Sequence, residues 1–210
     1  LENDDEYADD RYLYSFTDKR QLYNNLQSAG TTLLGSAMYS SISYNRVSDL
    51  DYFDDFGSSL STTSQSSVTR DIRLYGENYF KGGIIDYEIS SLSYQPSQLG
   101  VSSQYKTSPS LRLNISNYNQ NDTIKYNLKT SIEEFKHKDN SKTEGTRYLA
   151  YPSIEMPVRK EGWEITPKLG VRYIDYNLSN SGTGKQSKTT PIISLRGKLY
   201  FEKNAGNNLY

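Results

Sequence analysis

Residues 124–132 read IKYNLKTSI, and this stretch decides the class of the fold. Its first, third, fifth and ninth residues are apolar or aromatic, whereas lysine, asparagine, lysine and serine stand between them. Side chains of a β-strand point alternately to its two faces, so a period of two predicts a strand with one apolar face and one polar face. A tilted strand needs roughly nine to eleven residues to cross a bilayer, and this stretch is long enough.

The same alternation recurs along the chain and predicts about nine strands. The other apolar sets are Ile85, Tyr87 and Ile89; Leu111, Leu113 and Ile115; Trp163, Ile165, Leu169, Val171 and Tyr173; and Ile193, Leu195, Leu199 and Phe201. The predicted strands lie approximately at residues 11–17, 33–46, 67–79, 84–94, 110–118, 123–136, 147–158, 163–178 and 189–202. Residues 18–32 either continue the first strand or form a helical turn.

The connections between the predicted strands alternate between long and short. The long ones are 47–66, 95–109, 137–146 and 179–188, and the short ones are 80–83, 119–122 and 159–162. Long loops at one end and tight turns at the other are typical of outer-membrane barrels, whereas β-sandwiches use Greek-key links. Several predicted strands also exceed the usual five to six residues of soluble strands. We therefore predict an all-β, antiparallel, up-and-down transmembrane β-barrel segment, with a soluble barrel or sandwich as the alternative.

Composition excludes several classes of function. The chain has 24 basic and 25 acidic residues and a net charge of −1, which argues against a nucleic-acid partner. It has no cysteine, so disulfides, thiolate catalysis and cysteine-based zinc sites are excluded. No run approaches 18 apolar residues, the signal of a transmembrane helix. The 20 tyrosines suit a protein with aromatic side chains at membrane boundaries. The acidic start, without an initiator Met or signal peptide, is expected of a segment of a larger protein.

No residue pattern predicts catalysis, a metal or a cofactor. His137 is the only histidine, and no nucleophile motif accompanies it. The aspartates at 49, 51, 54 and 55 lack the ligand spacing of a calcium-binding loop. We therefore expect a protein that is not an enzyme and needs no cofactor.

The polar faces of the strands carry the candidate site. The residues predicted to face a barrel lumen are Arg73, Lys125, Asn127, Lys129, Lys168, Arg172, Arg196 and Lys198. Most are cationic, and a basic stripe of this kind could bind an anionic phosphosugar. The simpler interpretation of the same residues is an ordinary hydrated lumen with charges of both signs.

Residues 45–57 read NRVSDLDYFDDFG and follow the alternating strand SAMYSSISY at 36–44. This arrangement resembles the barrel domain of the LptD family, the outer-membrane lipopolysaccharide-assembly proteins also called organic solvent tolerance proteins. In that family a strand runs into (N/T)-x-VSD-x-x-YF-x-DF and then a polar stretch containing GSS. The motif residues here are Asn45, Val47, Ser48, Asp49, Tyr52, Phe53, Asp55 and Phe56. The resemblance is most specific over residues 9–56 and looser over 147–176, where YPSIEMPV precedes a strand starting at Trp163.

The resemblance implies a function and a set of partners. Residues 1–210 would be part of a barrel of roughly twenty-six strands, without its N-terminal jellyroll and C-terminal strands. The family inserts lipopolysaccharide into the outer leaflet of the Gram-negative outer membrane. The implied partners are lipopolysaccharide, outer-membrane lipid, an LptE-like plug lipoprotein and, through the missing N-terminal domain, an LptA-like periplasmic bridge. Two alternatives remain open: a general porin or diffusion channel, and a soluble all-β adhesin or glycan-binding module.

Overall fold

The computed structural model describes residues 12–29, 32–50, 67–96, 100, 102–117, 123–179 and 184–201. These residues form ten strands. The strands are β1 (Leu13–Ala29), β2 (Thr32–Val47), β3 (Ser67–Phe80), β4 (Gly83–Pro96), β5 (Lys106–Ser116), β6 (Lys125–Lys136), β7 (Glu144–Glu155), β8 (Val158–Lys160), β9 (Trp163–Ser179) and β10 (Lys185–Leu199). Within the described residues, no helix is long and apolar enough to cross a membrane.

All ten strands belong to one antiparallel sheet in which neighbours in sequence are neighbours in space. The order is β1-β2-β3-β4-β5-β6-β7-β9-β10, and the three-residue strand β8 pairs with β9. The predicted fold class, all-β and antiparallel with up-and-down order, is confirmed. In the described part of the chain β1 pairs only with β2 and β10 only with β9, so one edge of each is unpaired.

Residues 18–32 mostly continue the first strand. β1 pairs with β2 from Leu13 opposite Val47 to Ala29 opposite Thr32. The sequence pattern is weak here because the register shifts between Gln21 and Tyr23, which is a β-bulge or an irregularity of similar effect. An extra residue in one strand reverses the face of every side chain beyond it, so alternation breaks although the strand continues.

The predicted strand at 147–158 is divided in two. β7 ends at Glu155, and β8 resumes at Val158 after Met156 and Pro157. Proline has no N–H to donate to a neighbouring strand, and prolines within sheets collect at edges, strand starts and bulges. The interruption therefore follows from the local sequence.

The two ends of the sheet differ as predicted. At one end Phe80 pairs with Gly83, and Lys160 pairs with Trp163, each across a two-residue turn. Gly82 and Gly162 have φ values of +89° and +81°, a region that glycine enters without the steric cost of a side chain. We call this the short-turn end. The connections after β2, β4, β6 and β9 lie at the opposite, long-loop end.

The distribution of polar and apolar side chains is inverted relative to a soluble sheet. We call the side bearing Leu169, Ile89 and Ile132 the apolar face; these side chains are 55%, 47% and 44% exposed. The opposite side, the polar face, includes Glu133 and Thr166, which are 7% and 3% exposed. A soluble protein covers its apolar face, so a continuous exposed face of this kind indicates contact with lipid or with another apolar layer.

Aromatic side chains on the apolar face lie mainly near its two ends. Those near the long-loop end include Tyr14, Phe16, Tyr44 and Tyr148, and those near the short-turn end include Phe80, Tyr126 and Trp163. Tyr14 and Tyr44 contact each other edge-to-face, with ring centroids 5.9 Å apart. Aromatic girdles around an apolar band are the pattern that tilted membrane strands show at the two interfaces.

The direction of each face can be tested on β6. Leu128 lies on the apolar face between Ile115 and Pro152, and Asn127 lies on the polar face. In the complete barrel refolded into phospholipid vesicles, Leu128→Arg is expected to lower the free energy of unfolding by about 2–4 kcal/mol, the cost of a cation near the bilayer midplane. Asn127→Arg should cause a much smaller loss. Urea unfolding of both variants measures the difference, and equal losses would contradict the assignment of the faces.

Candidate functional site: the polar face

The strand register places all eight predicted lumen residues on the polar face. They are Arg73 on β3, Lys125, Asn127 and Lys129 on β6, Lys168 and Arg172 on β9, and Arg196 and Lys198 on β10. Their alignment follows from the antiparallel pairing, in which residues directly opposite each other share a face, and from period-two alternation along each strand. The described sheet does not close on itself, so an enclosed lumen stays a prediction.

A groove of about 860 Å³ runs across this face from β2 to β9. Its lining combines charged side chains with apolar ones, among them Tyr39, Tyr75, Leu149 and Ile174. The rings of Tyr39 and Tyr75 are stacked, with centroids 5.5 Å apart and an interplanar angle of 22°. The groove therefore offers both ionic and apolar contact to a ligand.

A chain of charges crosses the middle of the groove. Arg112 lies between two carboxylates: its Nη1 is 3.3 Å from Glu88 Oε1, and its Nη2 is 3.1 Å from Glu133 Oε1. Glu133 also accepts a hydrogen bond from Arg147 through its second oxygen. The Glu133 side chain is only 9% exposed, whereas those of Arg112 and Arg147 are 56% and 42% exposed. Glu133 is thus a buried anion whose charge is balanced by two arginines from neighbouring strands.

A second group of carboxylates neutralises cations near the short-turn end. Glu155 Oε1 is 3.0 Å from Lys168 Nζ, and its Oε2 is 3.4 Å from Arg196 Nη2. Glu164 Oε2 is 2.9 Å from Arg159 Nε, and its Oε1 is 3.9 Å from Lys198 Nζ. The predicted cations at 168, 196 and 198 are therefore paired within the sheet, which makes them less available to an anionic ligand.

Two further predicted residues also have partners. Arg73 Nη2 is 2.6 Å from Asp71 Oδ2. The Asn127 side-chain amide donates to Asn114 Oδ1 at 2.6 Å, and Asn114 in turn donates to Asp86 Oδ2 at 2.8 Å. Both contacts fix side chains of the polar face in place.

Three of the predicted cations have no carboxylate partner in the described part of the chain. Lys129 and Arg172 line the large groove, and Lys125 lines an adjoining cavity of about 310 Å³. The Arg172 guanidinium carbon lies 5.9 Å from the centroid of the Tyr151 ring, a cation–π distance. Of the predicted cations, these three are therefore the ones whose charge is available to bind an anionic ligand.

The described half of the family motif has a structural role. Asn45 accepts a hydrogen bond from the Ser15 hydroxyl at 2.7 Å and donates to the Thr69 carbonyl at 3.1 Å, so it links β1, β2 and β3. The Ser48 hydroxyl donates to Asp49 Oδ2 at 2.6 Å. Val47 is 1% exposed and packs against Val68. The remaining motif residues, Tyr52, Phe53, Asp55 and Phe56, lie outside the described residues.

Several residues of the groove were not singled out from the sequence. They are Arg147, Leu149 and Ile174, together with the pairing of Arg112 with Glu133. Alternation assigns a face to most of these residues, but only the register between strands shows which side chains meet. Leu149 and Ile174 are also apolar residues on the polar face, and so depart from the pattern that predicts the site.

The charge balance at Glu133 can be tested against its sequence neighbour. Glu133→Gln leaves two arginines without their shared anion, and is expected to lower the free energy of unfolding by about 1–2 kcal/mol. This expected loss is smaller than that for a fully buried ion pair, because both arginines are substantially exposed to solvent.

The matched control for this test is Glu134→Gln. Glu134 pairs with Lys136 on the other face of the same strand, and its side chain is 35% exposed. Its loss should cost at most about 1 kcal/mol. Urea unfolding in vesicles compares the two variants. A larger effect at 134 than at 133 would contradict the role assigned to Glu133.

Comparison with known proteins finds one family. The family model for LptD, described as LPS transport system D, matches residues 9–208. The LPS-assembly protein LptD of Azoarcus sp. (strain BH72) is 30% identical over 178 residues, which cover 81% of this chain and 22% of that protein. The LPS-assembly proteins LptD of Nitrosospira multiformis and Bordetella avium are 32% and 28% identical over 81% and 97% of this chain.

The match covers only part of each relative. The aligned region is 19% of the Nitrosospira protein and 26% of the Bordetella protein. The chain therefore spans about a fifth to a quarter of the length of the curated relatives it matches.

Proposed function

The chain belongs to the LptD family, and from that membership we propose that it forms part of the wall of an outer-membrane barrel that inserts lipopolysaccharide into the outer leaflet. In this proposal residues 1–210 are one segment of a larger barrel domain. The free edges of β1 and β10 pair with further strands of that barrel, since unpaired edges in lipid would leave backbone groups without partners.

The observation that carries the proposal is the inverted sheet. An exposed apolar band with aromatic residues near both ends supports placement in a bilayer. A polar opposite face with buried, ion-paired carboxylates supports an aqueous or polar interior. A soluble adhesin would need a second layer to cover the apolar side.

The groove suits an amphipathic anion better than a small solute. The groove lining holds four carboxylates and four cations, and Lys129 and Arg172 are the two of these cations that form no ion pair with a described carboxylate. Leu149 and Ile174 offer apolar contact beside them. Arginine and lysine bind phosphate oxygens through charge-assisted hydrogen bonds. A general diffusion channel has no need for this combination of contacts.

The remaining partners follow from the family. A plug lipoprotein resembling LptE would contact the polar face from inside the barrel. A bridge resembling LptA would deliver lipopolysaccharide through a periplasmic domain outside this segment. In this proposal the chain binds lipopolysaccharide and lets it pass. Neither step breaks a covalent bond, so the proposed protein is not an enzyme.

Site-specific photo-crosslinking in the complete barrel tests the proposal. Probes replacing Lys129 and Arg172 should form adducts with lipopolysaccharide or the plug lipoprotein, because both positions line the groove. Probes at Leu128 and Val171, the neighbouring residues on the apolar face, should yield bulk lipid or no adduct.

The outcomes separate the parts of the proposal. Adducts with the plug at the apolar positions, and none at the polar ones, would overturn both the register and the transport role. Adducts at neither face would leave the sheet intact and reject the groove as a path for lipopolysaccharide.

A further inference from the structure

A second charged groove lies at the long-loop end, on the apolar face. Its volume is about 560 Å³, and its lining includes Arg46, Arg70, Lys106, Lys136 and Lys138, which together we call the basic groove. Among the described residues that line it there is no aspartate or glutamate. The polar-face function proposed above does not use these residues.

The strand register places the basic groove on the apolar face of the sheet. Tyr44 pairs with Arg70, and Arg70 pairs with Ser93, across three adjacent strands. Arg70 is two residues from Ile72 on β3 and so shares its face, which is the apolar one. On β6, Lys136 lies four residues from Ile132 and so points to the same, apolar face. Lys106 of β5 pairs with Lys136 and shares that face.

The groove has a structural cause. Pairing between β4 and β5 ends at Leu92 opposite Thr107, although β4 continues to Pro96 in its ladder with β3. Beyond that point the described strands β4 and β5 are no longer joined, and the cations from β2, β3, β5 and β6 surround the opening. Bulges and local loss of pairing at a sheet rim commonly re-aim side chains in this way.

The charge of Arg70 is held in place but not neutralised. Its Nη2 donates to Gln95 Oε1 at 2.5 Å, and its Nε donates to the Asn45 carbonyl at 3.3 Å. The guanidinium carbon lies 5.1 Å from the centroid of the Tyr44 ring. All three contacts are with uncharged groups, so they orient the guanidinium and leave its positive charge for a ligand.

The other cations of the groove, like Arg70, have few anionic partners among the described residues. Lys136 Nζ is 2.8 Å from Glu134 Oε1, and Arg46 lies 5.8 Å from the Tyr12 ring centroid. No ion pair of the described residues includes Lys106 or Lys138. Glu144 accepts a hydrogen bond from the His137 N–H at 2.9 Å and is a second carboxylate near Lys136. Two carboxylates of the described residues therefore face the five cations of the groove, which leaves an excess of positive charge.

From this geometry we infer that the basic groove binds the phosphate-bearing headgroup of a lipid in the leaflet at the long-loop end. The inference rests on the proposed function, since it requires the apolar face to lie in lipid. Tyr12, Tyr14 and Tyr44 mark the level of the headgroups, and the apolar band below them can contact acyl chains. Guanidinium and ammonium groups at that level are complementary to phosphate oxygens.

The test uses the complete protein in phosphatidylcholine nanodiscs that contain a minor fraction of lipid A. A photo-crosslinking residue replaces Ser93, which lines the groove and sits opposite Arg70. A matched probe replaces Asn78, an exposed residue of β3 at the short-turn end. Asn78 lies an even number of residues from Arg70 on the same strand and therefore points to the same, apolar face. The adducts at the two positions are counted by mass spectrometry, so lipid A bound on the polar face does not contribute.

Lipid A adducts at 93 are expected to exceed those at 78 by at least about fivefold. Lys106→Gln with Lys138→Gln should remove most of this excess. Lys81→Gln with Lys160→Gln, which removes the same charge from the short-turn end, should leave it unchanged. Dephosphorylated lipid A should show no excess at 93.

Several results would overturn the inference. Equal adducts at 93 and 78, or an excess that survives Lys106→Gln with Lys138→Gln, would show that the groove does not select the lipid. Loss of the excess on addition of inorganic phosphate would reassign the groove to soluble anions. If the protein inserts and passes lipopolysaccharide while the excess is absent, only the inference fails. If the protein does not insert into the bilayer, the proposed function fails with it.

Discussion

The structure depends on one constraint: a single sheet must pair its backbone while one of its faces stays uncovered by protein. Each strand obtains its hydrogen bonds from sequence neighbours, so the described ladder is continuous from β1 to β10. No second layer packs on the apolar face in the described part of the chain, and its large side chains remain exposed. In water this arrangement would be unfavourable, because the hydrophobic effect favours covering such a face. In a bilayer the same arrangement satisfies both the backbone and the side chains.

Electrostatics on the polar face follow from that constraint. Because the apolar residues share one face, charged and amide groups gather on the other, and buried anions there require cationic neighbours. Glu133, Glu155 and Glu164 each hold two cations. This pairing separates structural cations from those available to a ligand. Lys129 and Arg172 belong to the second group, in a groove that also has apolar walls.

The two ends of the sheet create two chemically different surfaces. At the short-turn end, the β3–β4 and β8–β9 connections are two-residue turns with glycine at positive φ, and the strands they join are paired to their last residues. At the long-loop end, β4 and β5 part before the loop begins, and the opening is lined with cations on the outer side. The groove of the polar face and the basic groove therefore lie on opposite faces of the sheet, and in the proposed placement they contact different phases.

Sequence patterns alone predict the class of the fold, which side chains share a face and the alternation of long and short connections. These properties are local: period-two alternation sets the faces, and glycine marks the tight turns. Family membership, first indicated by NRVSDLDYFDDFG, also needs no coordinates. The tertiary structure alone decided which charges meet, because pairs such as Arg112 with Glu133 depend on the register between strands. It also showed that β1 continues from residue 18 to Ala29, where the register shift near Leu22 hides the alternation. Likewise, the basic groove joins residues of five strands at a gap in the ladder, and no pattern within one strand predicts such a gap.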